Sequence, residues 1–110
     1  MKHITREGLK QMIDEGKEFV LLNTELADEF KERRIPGSQN IYWRELAHKE
    51  NEKKLAKDKS IVVYCGSFTC GASAKGGAIL EVMGYKVLEF DGGVKDWQAA
   101  GYPVEGKANG

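Results

Sequence analysis

Residues 60–71 carry the sequence SIVVYCGSFTCG, in which an apolar run ends at a cysteine and a short loop. The run from Ile61 to Tyr64 has no polar alternation, which is typical of a strand buried on both faces. A helical pattern follows from Ala72 to Met83. The stretch therefore predicts a strand, a loop and a helix, with Cys65 at the carboxyl end of the strand.

The rest of the chain repeats this alternation of strands and helices. Thr5 is placed to cap a first helix, and Thr24 a second. The predicted helices cover 6–15, a short segment ending near Arg33, 44–56 with a break near Asn51, and 94–100. The other predicted strands cover 19–22, 40–42 and 86–90. Because the strands are apolar runs between helices, we expect an α/β fold with a mainly parallel sheet and helices on both faces.

Composition narrows the classes of function. A chain of 110 residues, 41% hydrophobic, is the size of one domain spanning residues 1–110. Its formal net charge is zero, so neither a nucleic-acid partner nor a membrane-surface partner is expected. No signal peptide and no membrane span are predicted, and two cysteines then favour reduced thiols in a cytoplasmic setting. The tail, residues 106–110, is expected to fray.

Cys65 has two interpretations from its position alone. It is a small buried hydrophobe, or it is a nucleophile whose thiolate is stabilised by loop amides and a helix N-terminus. Gly66 and Gly71, with Ser67 and Thr69 between them, suit a tight loop whose amides turn inward. The loop favours the reactive interpretation, which predicts that the pKa of Cys65 lies below its ordinary value.

Five signatures are spread along the chain. They are IPGS at 35–38 with Asn40 and Ile41, VVYC at 62–65, Gly84-Tyr85, DGG at 91–93 with Trp97, and GYPV at 101–104. Together they resemble the rhodanese domain, and the resemblance extends from the first helix to Val104. It implies a rhodanese-like α/β domain that acts as a sulfurtransferase. Cys65 would take a sulfane sulfur from a small donor as a persulfide and pass it to a thiol, cyanide or protein acceptor. No metal or organic cofactor is implied.

The loop differs from related phosphatases and from many rhodaneses. Cys65 to Cys70 spans six residues with no arginine in or just after the loop, so a phosphate ester would lack its bidentate partner. Cys70 stands where many rhodaneses close the loop with a basic residue. Asn23-Thr24-Glu25 replaces an Asp-x-Arg run, and Arg34 replaces a histidine. Lys75 remains as a candidate local cation or a solvated lysine, so a persulfide or polysulfide donor is favoured over thiosulfate.

The predicted cradle around the Cys65 sulfur consists of Gly66, Ser67, Phe68, Thr69, Cys70 and Gly71. Cys70 has three interpretations. It is a bystander, it is a second thiol that forms a disulfide or a bridging polysulfide with Cys65, or it is a metal ligand together with Cys65. We expect a rounded loop to hold the two cysteines near or beyond disulfide reach.

A metal fits poorly, because only His3, at a disordered start, and His48 remain to complete a site. Phe68 either contacts a partner or packs inward. The rival function is a non-catalytic or redox-sensing module that binds a protein partner through the same loop.

Overall fold

A computed structural model describes residues 1–107 and shows five strands and five α-helices in alternation. The strands are β1 (Lys2–His3), β2 (Phe19–Asn23), β3 (Gln39–Asn40), β4 (Ser60–Tyr64) and β5 (Val87–Phe90). The helices are α1 (Arg6–Asp14), α2 (Ala27–Glu32), α3 (Lys49–Glu52), α4 (Ala72–Val82) and α5 (Gly93–Ala99), with a 3₁₀ turn at Trp43–Glu45.

The strands form one parallel sheet in the order β1-β5-β4-β2-β3. β4 lies at the centre, where Tyr64 pairs with Asn23 of β2 and with Phe90 of β5. The carboxyl ends of the three central strands are therefore level, and the segments that follow them meet at one edge. In open parallel sheets this edge is where ligands bind.

Two apolar layers cover the sheet, one on each face. The first contains Leu80 of α4, together with Leu22 and Val63. The second contains Leu9 of α1 and Trp97 of α5, together with Val62 and Phe90. Successive residues of β4 thus enter opposite layers, which is why its apolar run shows no alternation. The predicted α/β fold with helices on both faces is confirmed.

The helix predictions differ in their outcome at the level of single residues. The Thr5 side chain caps α1 as predicted by accepting the Gly8 N–H at 3.0 Å. The prediction that Thr24 caps α2 is wrong, because its hydroxyl donates instead to the Tyr64 carbonyl at 3.2 Å. The helical segment predicted over 44–56, with a break near Asn51, is also wrong. The chain there forms the 3₁₀ turn and the four-residue α3, since it must bend to bury Leu46 and Leu55.

The start and end of the described chain are packed rather than free. Lys2 and His3 form β1, a strand that the sequence did not predict, and pair with Leu88 and Glu89 of the predicted β5. Glu105 forms an antiparallel bridge with Arg34, so the segment after Tyr102 returns to the body of the domain. The predicted fraying of residues 108–110 lies outside the described residues. Within residues 1–107, no helix is long and apolar enough to cross a membrane.

Candidate functional site

Cys65 directly follows β4 at the level edge of the sheet and is 1% exposed. Its position after the central strand and before α4 agrees with the sequence prediction. The loop at 66–71 separates the two elements, and α4 begins at Ala72 as predicted. Gly71 caps that helix in the left-handed conformation, with φ of 77°, which a residue with a side chain rarely adopts.

The first turn of α5 holds the base of the loop. The Val94 N–H donates to the Cys65 carbonyl and the Lys95 N–H to the Gly66 carbonyl, both at 2.9 Å. Gly93 permits this contact, because a Cβ atom at its position would lie 2.4 Å from the Cys65 carbonyl oxygen. The DGG signature at 91–93 thus has a structural reason: it lets a helix N-terminus bind the loop backbone closely.

The tip of the loop is exposed and internally bonded. The Cys70 N–H donates to the Ser67 carbonyl at 3.1 Å, and the Ser67 and Thr69 hydroxyls lie 3.1 Å apart. Phe68 is 67% exposed, so the inward-packed alternative for this side chain is wrong. Since the Cys70 amide is engaged in the turn, it is not available to the Cys65 sulfur. The loop therefore matches only in part the sequence prediction of backbone amides that turn inward toward the sulfur.

The Cys65 sulfur has a mixed environment. The Ser73 hydroxyl lies 3.5 Å from Sγ, and the Ser67 carbonyl oxygen 4.0 Å away. Burial and, after it, the neighbouring Cys70 thiol raise the pKa of Cys65 to about 11, while the Ser73 hydroxyl and N–H partly oppose the shift. The predicted lowering of this pKa is wrong, because removing the sulfur from water outweighs the few donors that face it.

Cys70 is exposed, and both cysteines are free thiols. The Cys70 side chain is one of the groups that raise the pKa of Cys65. The expected separation of the two cysteines, near or beyond disulfide reach, stays a prediction. The bystander and second-thiol interpretations of Cys70 both remain. Within residues 1–107, no group of three His, Cys, Asp or Glu side chains gathers in a way that could hold a metal ion.

Three residues linked to Cys65 were not predicted as site residues, and His3 among them had been placed at a disordered start. Ser73 donates to Glu89 Oε2 at 2.7 Å, and Glu89 Oε1 lies 2.9 Å from His3 Nε2. His3 is thus an ordered residue of β1, not part of a disordered start. Glu89 did carry a signal, because a carboxylate inside the run VLEF is unusual for a strand buried on both faces. His48, by contrast, is exposed and precedes α3.

Charged side chains near the loop differ from the sequence prediction. The Lys75 ammonium lies 5.0 Å from the centre of the Trp43 ring, in a cation–π contact. Lys95 instead lines cavities beside the loop. On the opposite side, Glu25 Oε2 lies 3.1 Å from where a Cβ atom of Gly66 would be. Burial, followed by hydrogen bonding to Glu29, raises the pKa of Glu25 to about 7.

Two cavities flank the exposed Phe68 ring. The first, about 380 Å³, lies between the loop tip and α5 and is lined by Ser67, Thr69, Lys95 and Ala99 among others. The second, about 410 Å³, opens toward the start of the chain and includes His3, Arg6 and Phe90. The loop therefore offers two approaches, and the second approach ends near the Glu89–His3 contact.

Comparison with known proteins gives consistent results. The rhodanese-like domain model matches residues 5–100. A protein of Bacillus halodurans superimposes with a TM-score of 0.91 at 27% identity, over 97% of this chain and 78% of that one. A rhodanese-related protein of Thermoplasma volcanium gives a TM-score of 0.81 at 28% identity, over 96% and 98% of the two chains.

A curated relative has a different kind of name. An HTH-type transcriptional regulator of Mycobacterium tuberculosis is 33% identical over 102 residues. This chain is covered to 93% but spans only 44% of the regulator's length. The match of the rhodanese-like domain model to residues 5–100, with the two structural likenesses, shows that the chain belongs to the rhodanese-like domain family.

Proposed function

We propose that this domain is a sulfurtransferase in which Cys65 carries a sulfane sulfur as a persulfide. The observation that supports it is the position of the Cys65 sulfur. It lies at the carboxyl end of the central strand, beside the first turn of α4, and an exposed loop separates it from solvent. A helix N-terminus stabilises negative charge, which a persulfide anion bears more readily than a thiol.

The proposed transfer takes place in two displacements. The Cys65 thiolate attacks the terminal sulfur of a donor persulfide, so that a bond forms between Sγ and that sulfur. The sulfur–sulfur bond of the donor breaks, and the donor leaves as a thiolate. A thiol or cyanide acceptor then attacks the outer sulfur and restores the Cys65 thiolate. The cradle for the transferred sulfur is Gly66, Ser67, Phe68, Thr69, Cys70 and Gly71.

The charges around the loop favour a persulfide or polysulfide over thiosulfate. Thiosulfate is a dianion and needs a fixed cation, yet the loop contains none. Glu25 places a carboxyl against Gly66, and this group becomes anionic above pH of about 7. Lys95 lies beside the loop, but its side chain is exposed, so water screens its charge. A donor with a smaller negative charge is repelled less by the Glu25 carboxylate and does not need a fixed cation.

Intact-protein mass spectrometry after exposure to polysulfide or thiosulfate tests the proposal. We expect one added sulfur on Cys65 with polysulfide, removable by cyanide as thiocyanate, and little addition with thiosulfate. Cys65→Ser should take up no sulfur at this position. The absence of an adduct with both donors would contradict the proposal.

A redox-sensing module is the second candidate, and the interaction of the Cys70 thiol with Cys65 favours it. In this case a mild oxidant such as peroxide would join the two thiols, with loss of two hydrogen atoms and formation of water. Peptide mapping distinguishes the functions, because a sensor yields a Cys65–Cys70 disulfide and gains no stable sulfur.

A cytoplasmic setting belongs to the proposed sulfurtransferase function, because two free thiols suit a reducing compartment.

A further inference from the structure

The buried Cys65 thiol needs a proton acceptor before it can attack a donor. Its thiolate is scarce near neutral pH, because burial raises its pKa. The side chains that face the sulfur are the Cys70 thiol and the Ser73 hydroxyl. A serine hydroxyl is not itself a base at this pH. The candidate proton acceptor is therefore the group that the Ser73 hydroxyl itself contacts.

Ser73 connects Cys65 to a buried carboxylate. Its hydroxyl carries one proton, which it donates to Glu89 Oε2 at 2.7 Å. The Ser73 oxygen is then left to accept, and the Cys65 thiol lies 3.5 Å away as the donor. Ser73 is 2% exposed and Glu89 5% exposed, so bulk water does not compete for these bonds.

His3 contacts Glu89 from the opposite side, with Nε2 at 2.9 Å from Oε1. A carboxylate that serves as a proton acceptor only accepts hydrogen bonds, so in this role His3 Nε2 would be the donor. A buried carboxylate without such donors would be costly. The His3 side chain is 57% exposed and borders the second cavity beside Phe68. Charged groups that line the same cavity are Arg6, Glu7, Asp91 and Asp96.

We propose that Glu89 is the proton acceptor for Cys65, that Ser73 carries the proton between them, and that His3 positions the carboxylate. The inference rests on the proposed function. During sulfur uptake, the thiol proton moves to the Ser73 oxygen as the Ser73 proton moves to Glu89 Oε2. The thiolate then attacks the outer sulfur of the donor persulfide: a bond forms between Sγ and that sulfur, the donor's sulfur–sulfur bond breaks, and the remainder of the donor leaves as a thiolate. After the acceptor removes the outer sulfur, Glu89 returns the proton to Cys65 through Ser73.

The alternative is that Ser73 and Glu89 only satisfy one another inside the fold, and the two cases predict opposite signs. A nearby carboxylate that does no more than repel a thiolate slows its formation. Glu89→Gln would then make Cys65 react faster. If Glu89 accepts the proton, the same substitution makes Cys65 react more slowly.

Alkylation of Cys65 by iodoacetamide between pH 6 and 10, in a Cys70→Ser background, measures this sign without any sulfur donor. General-base assistance contributes about 10²–10⁴-fold in enzymes. We expect Ser73→Ala and Glu89→Gln to slow alkylation at pH 7 by roughly tenfold or more and to move the profile to higher pH. His3→Ala should slow it by a smaller factor. Ser73→Thr, which keeps the hydroxyl, should restore most of the rate.

Glu50→Gln is the matched control, because Glu50 is an exposed carboxylate on α3, outside this network. Rates in Ser73→Ala and Glu89→Gln that equal or exceed the background rate would overturn the proposal. If Glu89→Gln does not fold, Ser73→Ala and His3→Ala decide it. Slowed alkylation in these variants, with no sulfur uptake by the native protein, would preserve the relay and reject the sulfurtransferase function.

Discussion

The two sides of Cys65 are built in different ways. The inner side, toward α4 and β5, consists of buried side chains linked by hydrogen bonds from Ser73 to Glu89. The outer side, from Phe68 to Cys70, is exposed and is bonded mostly to itself. Under the proposed function, this difference would divide the tasks: the inner side would control the sulfur and its proton, and the outer side would meet donor and acceptor.

Replacing the sulfur tests the inner side with the largest expected effect. Cys65→Ser should abolish persulfide formation, because a hydroxyl of similar size cannot carry a sulfane sulfur. The domain should remain folded, as measured by circular dichroism, with thiocyanate release as the activity assay. Cys70→Ser should retain much of the activity if Cys70 is a bystander. Full activity in Cys65→Ser would remove Cys65 from the mechanism.

Crowding the base of the loop is expected to have the next largest effect. In Gly93→Ala, the new Cβ would lie 2.4 Å from the Cys65 carbonyl oxygen, at a backbone φ of 68°. We expect a loss of roughly 3 kcal/mol or more in the free energy of unfolding, measured with urea, because strain and steric overlap add. Gly101→Ala is the control, since its φ of 82° is similar but nothing lies within 4 Å of the new Cβ. It should lose only about 1–2 kcal/mol.

A pH series tests the carboxyl against Gly66. The pKa of Glu25 rises to about 7 from its ordinary 4.5, so the folded protein keeps this proton longer than the unfolded chain. The free energy of unfolding should therefore fall as pH rises from about 4.5 through about 7, by roughly 1–3 kcal/mol. Glu25→Gln should remove most of this fall. Parallel curves for the two proteins would show that other groups cause it.

Changing the charge of the outer side should alter the choice of donor. Cys70→Arg would place a guanidinium beside the bound sulfonate of thiosulfate. A charged hydrogen bond contributes about 1.5–3 kcal/mol, so we expect kcat/KM for thiosulfate to rise roughly tenfold or more. Turnover of a persulfide donor should change much less. Equal improvement with both donors, or fast thiosulfate turnover in the native protein, would contradict this.

The exposed tip should matter least for stability. Phe68→Ala removes a ring that is 67% exposed, so the free energy of unfolding should change by less than about 0.5 kcal/mol. Thermal unfolding measures this. Phe90→Ala, on a ring 1% exposed in the second apolar layer, is the contrasting control and should lose about 3–5 kcal/mol. A large loss in Phe68→Ala would mean that the tip is part of the core.

The sequence predicted the fold well where hydrophobic burial dominates. The run at 61–64 and the helix from Ala72 follow from apolar pattern and glycine position, and both agree with the structure. β1 could not be predicted, because a two-residue strand has no periodicity. The link from Ser73 to Glu89 and His3 joins residues far apart in the chain, and only the sheet order brings them together.

The ionisation of Cys65 could not be predicted for a different physical reason. The sequence shows which donors follow a cysteine, but it does not show how completely the sulfur is withdrawn from water. Here the sulfur is almost fully buried, and a carbonyl of the loop faces it along with the Ser73 hydroxyl. The balance between desolvation and hydrogen bonding therefore depends on distances that only the folded chain provides.

The attachment of the loop to α5 has a consequence for redesign. Helix amides hold the carbonyls of Cys65 and Gly66, so the nucleophile is anchored through backbone atoms that any substituted residue would also present. The side chains at 67–70 can therefore be substituted together while the Cys65 sulfur keeps its position. The anchoring of Cys65 is thus independent of the side chains around it. Libraries of variants at those four positions should therefore select for new sulfur acceptors at little cost in the free energy of folding.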